Sequence, residues 1–68
     1  GDVRALPALE KSLVCDDPVI RLHAAWGLGR IGGDDAKQSL ETALAQENDP
    51  EVREEIKLSI ADMAEQVQ

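Results

Sequence analysis

Sixty-eight residues, 43% of them hydrophobic and 31% charged, allow one small domain (residues 1–68) with too much apolar side chain for a disordered tail. One cysteine (Cys15) cannot close an internal disulfide, and one histidine (His23) beside it is too few for a structural zinc. Fourteen acidic residues against seven scattered basic ones, net −7, argue against direct nucleic-acid binding, and no apolar run approaches the ~20 residues that span a bilayer.

Aromatic and β-branched residues are scarce, so the chain reads as all-helical. The first helix is predicted over 3–15, burying Leu6, Leu9 and Leu13, with Pro7 early enough to be tolerated. Asp17-Pro18 then opens a helix over 18–31: aspartate caps free N–H groups, and proline at the first helical position gives up no useful donor. Ile20, Ala24, Gly27, Leu28 and Ile31 recur on one face of it, and Gly32-Gly33 is expected to supply a left-handed cap. Asp34 or Asp35 caps a helix over 34–46 with Ala36, Leu40, Ala43 and Leu44 inward. Asp49-Pro50 opens the last helix, 50–66, which buries Val52, Ile56, Ile60 and Met63.

The chain repeats itself. Asp17-Pro18-Val19-Ile20-Arg21 aligns with Asp49-Pro50-Glu51-Val52-Arg53 at an offset of 32, placing Leu28 on Ile60 and Ile31 on Met63. Ala5, Leu9, Glu10 and Leu13 fall on Ala36, Leu40, Glu41 and Leu44 at an offset of 31. Two matches at nearly one period predict an α-solenoid of antiparallel helical hairpins: about four helices, two repeats, in the order B, A, B, A. Gly1-Asp2 corresponds to the Gly32-Gly33-Asp34 turn, so the chain is expected to start halfway through a repeat of a longer array and to close on the polar Glu65-Gln66-Val67-Gln68. Leu22 and Trp26 form a second apolar stripe where the last repeat has Glu54 and Leu58, which makes them candidate contacts to a further repeat or a partner.

The motif Asp-Pro-x-[Ile/Val]-Arg, followed by Ala24-Ala25, Leu28-Gly29 and Ile31-Gly32, resembles the HEAT-like repeat of the phycobilisome-lyase type. That resemblance makes Asp17, Pro18, Arg21, Asp49, Pro50 and Arg53 structural and implies that Arg21 and Arg53 pair with Asp17 and Asp49. Iron-binding hydroxylases of the family carry His-Glu directly after the repeat arginine. Here those positions are Leu22-His23 and Glu54-Glu55, so no metal ligand and no cofactor is expected in this chain. The stretch from His23 to Gly32, with Glu47, Asp49, Glu51, Val52, Glu55 and Ile56, is similar to the C-terminal HEAT-like tail of epoxyqueuosine reductases. The resemblance implies an iron–sulfur, cobalamin-dependent parent enzyme of tRNA queuosine modification with its catalytic residues outside this chain.

No catalytic constellation emerges from the residues themselves. Ser12, Ser39 and Ser59 have no reason to meet His23, and Cys15 is followed by two aspartates that disfavour a thiolate. Gly27, Gly29, Gly32 and Gly33 imitate a dinucleotide fingerprint, but that motif opens a helix and here one is ending. The small residues at Gly27 and Gly29 are expected to let neighbouring helices approach closely. The functional expectation is a non-catalytic helical-repeat module in the cytoplasm, offering a surface to a protein partner or to a preceding domain of the same polypeptide. The alternative is the accessory domain of the reductase named above.

Overall fold

Four α-helices follow one another in a computed structural model that describes residues 3–65. A short 3₁₀ turn, Val3–Ala5, leads into α1 (Leu6–Ser12); α2 (Pro18–Ile31), α3 (Gly33–Gln46) and α4 (Pro50–Glu65) complete the fold. The expected ends at Gly1-Asp2 and at residues 66–68 lie outside the described residues.

The starts of α2 and α4 are set by their own residues. Asp17 is extended and its carboxylate accepts from the Val19 N–H at 2.9 Å. Asp49 accepts from the Glu51 and Val52 N–H groups at 2.9 and 3.2 Å. In each case proline follows as the first helical residue. Replacing Pro50 by Ala should therefore cost about 1 kcal/mol or less, because the proline acts mainly by restricting the unfolded chain. Chemical denaturation that showed a larger loss would mean the ring is packed rather than placed.

Three boundaries differ from the sequence expectation. The first helix is not continuous over 3–15: α1 covers only Leu6–Ser12. Pro7 lacks an N–H and its ring crowds the carbonyl four residues back, which confines it to the first turn and keeps regular α-helix from reaching upstream of Leu6. Downstream, Val14 and Cys15 bond to carbonyls three residues earlier, tightening the chain into a turn. Next, α3 starts at Gly33 rather than Asp34, because a single residue, Gly32, joins it to α2. Asp34 and Asp35 are thus inside the first turn and make no side-chain cap, although their charge still sits at the positive helix end. Gly32 itself has φ 74° and ψ −174°, a positive-φ extended conformation that glycine alone adopts readily, not the left-handed helical cap. Its N–H closes α2 on the Leu28 carbonyl at 3.0 Å.

The core runs between the helices as the repeat requires. Ala24, Ala25, Leu28, Ala36, Leu40, Val52 and Ile56 are almost completely buried, with Leu13 and Met63 at its ends. Leu6, Leu9, Ala43, Leu44 and Ile60 are half-buried against it. Ile20, expected inside, is 43% exposed. Gly29, expected to let helices approach closely, is buried where α2 crosses α4, against Ser59, which the sequence left unassigned.

Candidate functional site

Each repeat arginine reaches back from the first turn of its helix to the loop before it. Arg21 Nη1 donates to the Cys15 and Asp16 carbonyls at 2.8 and 2.9 Å. Arg53 Nη1 donates to the Glu47 and Leu44 carbonyls at 2.9 and 2.8 Å. Cys15 and Glu47 are repeat-equivalent, so the same bond closes both loops.

The expected arginine–aspartate pairs are not formed. Asp17 and Asp49 spend their carboxylates on the helix starts, and Arg21 forks instead onto Glu47. Nε meets Oε1 at 2.8 Å and Nη2 meets Oε2 at 3.0 Å, a bidentate geometry that suits guanidinium and carboxylate. Glu47 Oε2 also accepts from the Asp49 N–H at 3.0 Å. The Glu47 side chain, only 6% exposed, therefore ties the α3–α4 loop to Arg21 of α2, and Arg21 in turn holds the α1–α2 loop across the repeat boundary. Nothing in local sequence pattern singles out Glu47, since its counterpart in the other repeat is Cys15. The search that finds it asks which carboxylate ends each loop that a repeat arginine can reach.

The hydrogen bonds from Arg21, with the Asp49 N–H adding to them against the cost of burial, hold the Glu47 carboxyl below its ordinary range. The same pairing raises Arg21. A carboxyl depressed in the folded state contributes stability above its unfolded value and loses it as pH falls through the folded one. The melting temperature of the native chain should accordingly fall further than that of Glu47→Gln as pH is lowered from about 5 toward 3. Parallel pH profiles of the two chains by circular dichroism would show whether the gap between them closes on acidification.

The remaining sequence candidates are spread out. His23 is exposed on α2, Cys15 is a half-buried free thiol in the turn after α1, and Ser39 donates to Glu10 at 2.6 Å across the groove between α1 and α3. No group of three or more His, Cys, Asp and Glu that could hold a metal occurs among the described residues, and no helix there is long and apolar enough to cross a membrane. Leu22 is half-buried against the core, on the α2 stripe that continues through Ala25 and Gly29 toward α4. Trp26 is 54% exposed, with the Arg30 guanidinium 5.1 Å from its ring centre, and its repeat counterpart Leu58 is 56% exposed.

Comparison with known proteins agrees with this architecture. An uncharacterized protein from the gldA 3′ region of Geobacillus stearothermophilus is 48% identical over 56 residues, which are 81% of this chain and 26% of that protein. Epoxyqueuosine reductase of Bacillus cereus is 49% identical over 39 residues, 57% of this chain and 10% of the enzyme. That of Bacillus subtilis is 43% identical over 60 residues, 87% of this chain and 16% of the enzyme. The chain thus spans about a quarter or less of the relatives it matches. No solved structure matches it. The family model described as HEAT repeats matches residues 1–61, nine-tenths of the chain, and with two stacked helical layers closed by the same arginine bonds this protein belongs to the HEAT repeat family.

Proposed function

We propose that this chain is a non-catalytic accessory segment of an enzyme of the epoxyqueuosine reductase kind. In this reading it works in the cytoplasm, it binds no cofactor itself, and the reductive chemistry belongs to residues outside these 68. The observation that carries the reading is the 43% identity to the Bacillus subtilis reductase over 87% of the chain. A rigid two-layer stack held across its boundary by Arg21 and Glu47 is suited to hold a surface at a fixed angle to a neighbouring domain. Net charge −7 favours a protein neighbour over a tRNA backbone.

The test is deletion of the coding segment for these residues, followed by mass spectrometry of tRNA nucleosides. Epoxyqueuosine should accumulate at the expense of queuosine. Unchanged queuosine would overturn the enzyme reading. The second reading, a free-standing scaffold, is favoured by the exposure of Trp26. It predicts a co-purifying protein partner that Trp26→Ala releases while queuosine stays intact.

A further inference from the structure

While α2 and α4 close on one another at Gly29 and Ser59, α1 and α3 stay apart. A groove of about 480 Å³ lies between them, and a second of about 320 Å³ continues it past Leu13, Val14, Ala43 and Gln46, which line both. The opening has its origin in helix length. With seven residues α1 spans about 10 Å, and with fourteen α3 spans about 21 Å. The last turn of α3 therefore faces the turn after Ser12 instead of a helix.

The groove has an apolar floor and a polar rim. Leu6, Leu13 and Ala43 are at least half-buried in it, while Val14 is 73% exposed where the two parts join. Along the α3 wall stand Gln38, Thr42 and Gln46, all exposed. A side-chain amide offers two donors and an acceptor, so such a wall can bond an extended backbone. The charges are nearly all of one sign: Glu10 and Asp35 in the larger part, Asp16 and Glu47 in the smaller. Among the described residues of the lining, Arg21 is the one cation, and its guanidinium is committed to Glu47 and to the Cys15 and Asp16 carbonyls. Glu10 is half-buried and accepts from the neutral Ser39 hydroxyl at 2.6 Å, which leaves carboxylate lone pairs for a further donor.

We propose that this groove is the docking site for an extended segment of a partner protein that carries a lysine or arginine between aliphatic side chains. The cation meets Glu10, the aliphatic groups cover Val14 and the leucine floor, and the α3 amides take the backbone. A volume within the range of about 300–1,000 Å³ typical of ligand pockets admits a few residues of chain, whereas a helix about 10–12 Å across is too wide. A phosphate chain would meet carboxylates of its own sign. A second copy is the poorer occupant, because the described residues are almost wholly helical and two bodies of charge −7 repel one another. Such a site would serve an accessory segment of an enzyme and a free scaffold alike.

The probe is an acetylated, amidated pentapeptide, leucine-valine-lysine-valine-leucine, titrated into the chain and followed by amide NMR spectra. The signals of Val14, Gln38, Ser39 and Thr42 should move, and those of Trp26 and Leu58, outside the groove, should not. Glutamine in place of the lysine, or serine in place of the aliphatic residues, should weaken binding by about fivefold or more. Glu10→Gln should weaken the lysine peptide by a similar factor. Glu41→Gln is the control: it removes the same charge from the repeat-equivalent, exposed position and should change binding by less than about twofold. Val14→Ser, on an exposed side chain, should weaken the peptide while leaving the far-UV circular dichroism native. Equal losses from Glu10→Gln and Glu41→Gln, shifts spread over the acidic surface of α4, or no shifts at millimolar peptide would overturn the proposal. So would groove signals that move with chain concentration alone, which would make the occupant a second copy, or the same shifts produced by an RNA hairpin. Queuosine content enters none of these readouts, so their failure would leave the enzyme reading standing.

Discussion

Leu40→Asp should leave the chain unfolded at 25 °C. Leu40 is fully buried in α3, inside the cluster of Ala24, Ala25, Leu28, Ala36, Val52 and Ile56. Removing a buried leucine's packing costs about 2–5 kcal/mol, and a carboxyl group left there without a partner adds several more. Stability of about 0.05–0.15 kcal/mol per residue gives a chain of this size roughly 3–10 kcal/mol in all. The loss is of the order of the whole. Glu41→Asp is the control: it lies next in sequence, is exposed, and makes the same unfavourable helix choice without burial. Far-UV circular dichroism should show coil for the first and native helix for the second. A helical Leu40→Asp would mean that this core can rearrange around a charge.

What could be read from the sequence was whatever is decided locally or by the repeat. Asp17-Pro18 and Asp49-Pro50 mark the first residues of α2 and α4 because cap and proline act within one turn. The stack itself followed from the 32-residue offset. The end of α1 was not legible: after Ser12 the chain tightens into bonds to carbonyls three residues back, at Val14 and Cys15, and no residue there announces it. Glu47 escaped for a different reason: an Arg21–Glu47 pair is 26 residues apart in sequence and has no counterpart in the other repeat. Ile20 was misplaced because periodicity says which residues share a face, not whether a neighbour is there to cover it. Leu22 and Trp26, read as one stripe, divide in the structure: Leu22 turns toward the core and Trp26 toward solvent.

The two glycines inside α2 should respond oppositely to the same substitution. A methyl group at Gly29 would stand 2.9 Å from Ser59 Cβ and 3.4 Å from Ser59 Cα, atoms fixed to the α4 backbone. The helices would have to move apart, at about 1–3 kcal/mol, and the gain of about 1 kcal/mol in helix propensity does not offset a clash at the upper end of that range. At Gly27 the nearest atoms to the same methyl group all belong to the Leu9 side chain, its two terminal carbons at 3.1 and 3.2 Å and Cγ at 3.8 Å. Leu9 is half-buried and can turn, so Gly27→Ala should be neutral or stabilising by up to about 1 kcal/mol. The cause at Gly29 can be isolated through its partner. Ser59→Ala keeps the Cβ and gives up only a long 3.5 Å bond to Glu55, so it should not rescue Gly29→Ala. Ser59→Gly removes the obstructing atom, and in a double-mutant cycle it should couple favourably to Gly29→Ala by at least about 1 kcal/mol. Additive losses in urea titrations would show that the closeness of α2 and α4 is not what this glycine is for.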